Sequence, residues 1–106
     1  MAKFLITGSY TVAGIKGVLE EGGTSRVAAV RKAIVASGGT LESFYFGFGG
    51  DDFYVTADLP GNEAAAAVAM NVAAAGGATQ RTIVLLTPEQ VDAAAKMPSA
   101  YRAPGA

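Results

Sequence analysis

The segment Phe44-Tyr45-Phe46-Gly47-Phe48-Gly49-Gly50-Asp51-Asp52-Phe53-Tyr54-Val55-Thr56 constrains this chain more than any other. It carries six of the nine aromatic residues, so a core has to form around it. It reads as two strands, Thr40 to Phe48 and Phe53 to Leu59, joined by a Gly/Asp loop from Gly49 to Asp52. A four-residue loop pairs Phe48 with Phe53, Phe46 with Val55 and Phe44 with Ala57. Side chains alternate between the two faces of a strand. All these residues therefore share one face, an apolar floor for helices. The other face carries Tyr45 opposite Thr56, Gly47 opposite Tyr54 and Ser43 opposite Asp58.

The rest of the chain supplies the elements that pair with this hairpin. Lys3 to Thr7 is short, apolar and β-prone, and reads as a first strand followed by a turn at Gly8-Ser9-Tyr10-Thr11. Thr11 is placed to cap a helix that starts at Val12. Gly22-Gly23 interrupts it, and Thr24 or Ser25 can cap a second segment. There Val27, Val30 and Ile34 form a helical stripe, with Arg26, Arg31 and Lys32 expected away from it. Gly38-Gly39 ends that segment. After Pro60-Gly61, Asn62 and Glu63 open an alanine-rich helix that runs to Ala75, in which only Asn71 is polar after Glu63. Ala78 to Thr87 reads as the fourth strand. Thr87-Pro88-Glu89-Gln90 combines a threonine cap, an early proline and a capping-box glutamine, so a helix follows to Lys96. Met97-Pro98 stops it.

This order, βαββαβ plus a terminal helix, predicts an α+β fold of the ferredoxin-like type. It has a four-stranded antiparallel sheet, two helices on one face and a C-terminal helix. Residues 1–97 make one domain and 98–106 an extended tail. At 106 residues a single core is the expectation.

Composition narrows the chemistry. The formal charge is -1, from eight basic and nine acidic residues, with no lysine or arginine run. Nucleic acid and anionic membranes are therefore not expected partners. There is no cysteine and no histidine. That removes disulfides, thiolate nucleophiles, zinc–sulfur sites and the commonest general base. No metal or cofactor is expected. The apolar start, Met1 to Thr7, is too short for a signal peptide or a membrane span, so a cytoplasmic location is the default reading.

In the predicted fold the sheet face bearing Tyr45, Tyr54 and Thr56 is uncovered, and large exposed side chains mark an interface. A second copy packed face to face is the expected cover, with Met97 to Tyr101 as a clasp. The expected partner is therefore the chain itself, as a homo-oligomer built on a dimer.

Several short signatures recur in a fixed order. Tyr10-Thr11 and Gly14 follow the first strand, and Ser25-Arg26 leads into the helix that ends at Gly38-Gly39. The third strand runs into the alanine-rich helix, and Gln80-Arg81-Thr82 enters the last strand. With the hairpin, this pattern resembles the GYD domain family, named for a Gly-Tyr-Asp motif in the second hairpin. The similarity spans residues 3–95. It implies a ferredoxin-like fold of the dimeric α/β-barrel type and leaves activity open. The chain departs at the namesake, where Gly50-Asp51-Asp52 puts aspartate in the tyrosine's place.

The candidate site residues are Tyr45, Tyr54, Thr56, Asn71, Tyr10 and Asp52. Tyr45 and Tyr54 can orient an apolar ligand or pack in a dimer interface. Asp51 and Asp52 point to opposite sides of a strand, so turn chemistry is the simpler reading. Gly47, Gly49 and Gly50 open a strand rather than a helix, which argues against a phosphate loop. Arg26, Arg31, Lys32 and Arg81 can hold an anion, but Arg26 and Arg31 are expected on a solvated helix face. Asn71 reads either as a satisfied amide or as an exposed position. Ser9-Tyr10-Thr11 offers hydroxyls without a histidine to activate one.

Two functions compete. One is a non-catalytic assembly or small-molecule-binding module. The other is a cofactor-independent enzyme, monooxygenase- or isomerase-like, acting on an apolar or aromatic metabolite, which rests on fold analogy. Its catalysis would fall to Tyr54, Tyr45, Asn71 and Asp52.

Overall fold

β1 (Ala2–Tyr10) runs through the middle of the sheet, paired antiparallel with β3 (Phe53–Leu59) on one side and β4 (Ala78–Leu85) on the other. β2 (Thr40–Phe46) pairs with β3 at the edge, giving the order β2-β3-β1-β4. Each βαβ unit is thus split by a strand of the other, which is the ferredoxin-like arrangement. The computed structural model describes residues 1–106.

The first crossover contains two helices, α1 (Val12–Glu21) and α2 (Gly23–Ala36), and the second contains α3 (Asn62–Ala75). Thr11 caps α1 through its hydroxyl, which accepts the Gly14 N–H at 3.1 Å. Gly22 makes the corner between α1 and α2 at φ 84°, a conformation that favours glycine. It serves as the N-cap of α2 in place of Thr24 or Ser25. α4 (Pro88–Ala95) has the anticipated capping box. Gln90 N–H donates to the Thr87 hydroxyl at 3.1 Å, and Thr87 N–H donates to the Gln90 carbonyl oxygen at 2.7 Å. No helix is long and apolar enough to cross a membrane.

The core lies between the sheet and α2 and α3. Phe4, Ile6, Phe53, Val55, Ala57 and Leu59 point up from the sheet onto Ile34, Ala65 and Val68. α3 is apolar nearly all round, yet it buries only one face, and Met70 stands 67 % exposed. Alanine explains this, because it is helix-favouring and tolerates water.

The hairpin register differs from the expected one by two residues. Phe46 pairs with Phe53, Tyr45 with Tyr54, Phe44 with Val55 and Ser43 with Thr56. The connecting loop is therefore Gly47 to Asp52, closed by Gly47 N–H donating to the Asp52 carbonyl at 3.0 Å. Because the shift is even, Ser43 to Phe46 and Phe53 to Val55 keep their predicted faces, while Thr40 to Glu42 exchange theirs at a bulge. A bulge between Leu41 and Ser43 then inserts Glu42. Leu41 opposes Ala57 on the helix side, while Glu42 reaches Lys3 and Thr56 on the open face.

β1 extends three residues beyond the expected strand, through Gly8 to Tyr10. Gly8 permits this, since a Cβ there would overlap the Thr79 carbonyl and press on the Phe53 ring.

Candidate functional site

The open sheet face carries Leu5, Tyr54, Tyr45 and Ile83, flanked by two charge clusters. Tyr45 is 71 % exposed and Tyr54 41 %, and they face each other directly across β2 and β3. At one end Lys3 bridges Glu42 and Asp58. Hydrogen bonds donated to Glu42 and then Asp58 push the Lys3 ammonium up, and Lys3 with Thr56 holds the Glu42 carboxyl down. Thr56 also shares a 2.5 Å hydrogen bond with Ser43. At the other end the buried Thr7 hydroxyl donates to the Asp51 carboxylate at 2.7 Å, and Arg81 pairs with the same carboxylate. These contacts, Thr7 first, hold the Asp51 carboxyl below its usual range. Neither of the two main pockets is lined by Tyr45, Tyr54 or Thr56.

A pocket lies on the helix side, open at its rim where Ala29, Ala33 and Ala75 are exposed. α2 leans on β2 and α3 on β4, and a cavity of about 190 Å³ remains between them above β1 and β3. Val30, Ile34, Phe44, Phe53, Val68 and Val72 make its apolar wall. Ala29 and Ala33 of α2 and Ala75 of α3 are the short side chains along it.

Three polar side chains reach this cavity: Tyr10, Arg26 and Gln80. Tyr10 ends β1 with its ring 5.2 Å from that of Phe53. Burial pushes its phenol up, opposed by the Arg26 charge and assisted by Asp52 and Glu21. Tyr10 is therefore a neutral hydroxyl donor at physiological pH. Arg26 lies four residues before Val30 and eight before Ile34, on the same helix face. Its Nη1 is 3.5 Å from Glu21 Oε1. Its Nε is buried without a hydrogen-bond partner. The i, i+4 spacing from Arg26 was the signal available in the sequence, and it places this arginine on the cavity rather than on a solvated face.

Asp52 does not reach the cavity as a free acid. Its carboxylate accepts the Tyr10 N–H at 2.9 Å, and its own N–H donates to the Gly8 carbonyl at 2.6 Å. It ties the hairpin loop to β1. Asn71 stands exposed on α3, with its amide donating back to the Ala67 carbonyl at 2.8 Å. Of the six predicted site residues, Tyr10 alone lines the cavity. Tyr45, Tyr54 and Thr56 share the opposite face of the sheet.

The order of elements, the hairpin loop pinned by its aspartate and the alanine-rich α3 make one pattern. The family model of the GYD domain matches residues 4–95. The chain belongs to the GYD domain family. The match covers the sheet from the third residue of β1 onward, all the packed helices and α4. No curated protein and no solved structure matches the chain. In this GYD domain Asp52 is bonded to β1. The neighbouring Asp51 carboxylate faces Thr7 and Arg81 on the open side.

Proposed function

We propose that this GYD domain is a small-molecule-binding protein that works as a homodimer, with an apolar ligand about one ring in size held between the helices and the sheet. The cavity carries this reading. Protein interiors are close-packed and leave few voids larger than a water molecule. The pocket, about 190 Å³ and walled mainly by apolar side chains, offers apolar surface that a ligand would remove from water. The volume is below the ~300 Å³ of a drug-sized site and above the ~150 Å³ that admits benzene.

Binding is favoured over catalysis by what the polar groups are already doing. Tyr10 is held neutral by burial, and Asp51 and Asp52 are both committed to fixing the hairpin loop.

The dimer reading rests on two surfaces with nothing packed on them. One is the open face with Leu5, Tyr45, Tyr54 and Ile83. The other is the arm from Leu86 to Ala106, exposed throughout, with Val91 51 %, Met97 69 % and Tyr101 80 % exposed. An eight-residue helix has little stability alone in water, so α4 needs a surface to lie on. The radius of gyration is 16.7 Å, against about 13 Å for a compact chain of this length. A second copy supplies both a sheet face and a seat for the arm.

Two measurements test the two halves. Chemical-shift mapping with one-ring aromatic probes should perturb Val30, Phe53 and Val72, and leave Asn71 unmoved. A set of such probes that moves none of these resonances defeats the ligand reading. Sedimentation at low micromolar concentration should give a dimer that Tyr54→Glu weakens. A strict monomer defeats the assembly reading.

A further inference from the structure

β4 is an edge strand with the composition of a central one. Ile83, Val84, Leu85 and Leu86 run without a polar residue, the pattern of a strand covered on both faces. Ile83 points to the open face and Val84 to the helix side, and they are 42 % and 56 % exposed. No strand lies beyond them. The helix layer is bare along the same edge. A helix apolar nearly all round, as α3 is, is normally covered on more than one side. Its outer flank, Ala69, Met70 and Ala73, meets Ala78 to Gln80 of β4 in an open groove. The opposite edge of the sheet is guarded. β2 carries the bulge between Leu41 and Ser43 and the charged Glu42, two devices that block strand addition.

We infer that the edge formed by β4 and α3 is an interface with a second copy, in which β4 pairs antiparallel with its mate across a two-fold axis. The two sheets then form one of eight strands, four from each copy. α3 lies beside its mate in the helix layer, where the small side chains of Ala69 and Ala73 permit close approach. This contact adds to the face-to-face dimer and does not depend on it. The occupant is a second copy because the edge is nearly without charge. No residue from Ala64 to Ala75 is charged, and Arg81, the one charge on β4, is answered by Asp51. Such a surface offers a charged partner nothing, while it matches itself in a two-fold contact. Only one edge is open, so the pairing closes after two copies. Pairing of β4 with β2 would run on into fibres, and the bulge opposes it. Charge also sets the register. Centring on Ile83 puts Arg81 opposite the partner's Leu85 and separates the two guanidinium groups, whereas centring on Arg81 sets like charges face to face.

Two paired strands alone are marginal in water, so this contact forms at high concentration. Sedimentation of the full chain should show the mass doubling between low micromolar and several hundred micromolar. The doubling starts from the dimer or, where the face-to-face reading fails, from the monomer, so the two readings fail separately. Hydrogen exchange should slow with concentration at the β4 amides that do not bond β1, and not at β2. Val84→Lys puts a charge on the strand edge and Met70→Glu puts one on the helix flank. Both residues are exposed, so both variants should fold, and each should abolish the doubling. Val35→Lys, an equally exposed site on α2, should leave it intact. A mass that does not change with concentration overturns the inference. Doubling that survives Val84→Lys also overturns it and moves the contact to another surface. Doubling that survives Met70→Glu overturns the part given to α3. Species that grow past the doubled mass overturn the two-fold closure in favour of head-to-tail pairing.

Discussion

The Asp52 carboxylate accepts a hydrogen bond from the Tyr10 backbone N–H at 2.9 Å, joining the loop after β2 to the end of β1. Tyr10 is the last residue of its strand, and its N–H faces the loop rather than a neighbouring strand's carbonyl. Removing the acceptor leaves that partly buried donor bare. Asp52→Ala should therefore cost about 1–2 kcal/mol. Asp52→Asn keeps an acceptor oxygen and should recover most of that loss. Urea unfolding of both variants reads the difference.

The two glycines inside α1 give opposite expectations for the same substitution. A Cβ at Gly14 would overlap the Gly77 carbonyl, where the start of α1 meets the α3–β4 turn. Thr11 N–H donates to that same carbonyl at 3.0 Å, so the approach is fixed. At Gly17 a Cβ meets nothing within 4 Å. Gly17→Ala should stabilise by about 0.5–1 kcal/mol, the helix preference of alanine over glycine. Gly14→Ala should destabilise by about 1–3 kcal/mol, because overpacking outweighs that preference. Thermal melts of the pair decide it.

Much of this molecule is legible in its sequence, and the parts that are not have definite causes. Strand identity and face assignment follow from the alternation in Phe44–Phe46 and Phe53–Leu59, which survives an even register shift. The register itself depends on the loop length, and that is set by contacts the sequence does not display. Gly47 N–H closes on the Asp52 carbonyl, and Asp52 bonds to Gly8 and Tyr10 on β1. The bulge at Glu42 is equally hidden, because it is driven by Leu41 keeping to the core side. The cavity arises between α2 and α3, which lie apart in sequence. Short side chains on both helices, Ala29 and Ala33 on α2 and Ala75 on α3, leave the volume, and no periodicity within either helix reports it. Arg26 was visible at helical spacing from Val30 and Ile34, but a charged residue reads as solvated until its neighbours are known.

Burial holds the Tyr10 proton more tightly than the phenol of a free tyrosine. A spectrophotometric titration should show a component ionising above the ordinary tyrosine value of about 10, and Tyr10→Phe should remove it. Stability follows the same sign. The folded value lies above the unfolded one, so this contribution is complete below the unfolded value. It is lost as pH rises through the folded one. A ligand that accepts from the hydroxyl favours its protonated form and should push the late component higher still.

Asp51 sets the opposite dependence. The Thr7 hydroxyl, and after it Arg81, stabilise the ionised carboxylate, so the folded value lies below the unfolded one. That contribution is present above the unfolded carboxyl value of about 3.9 and is lost as pH falls through the folded value. Glu42, held down by Lys3 and Thr56, has the same sign. Acidification from pH 6 to pH 3 should lower the wild-type urea midpoint, and Asp51→Asn should flatten that fall. Asp51→Asn should also be less stable than wild type at pH 6, since the amide cannot match the charge of Arg81. High salt should narrow that difference only in part. It screens the exposed Arg81 contact and leaves the hydrogen bond from the buried Thr7. A variant as acid-sensitive as the wild type would assign the loss of stability to Glu42 and the remaining carboxylates instead.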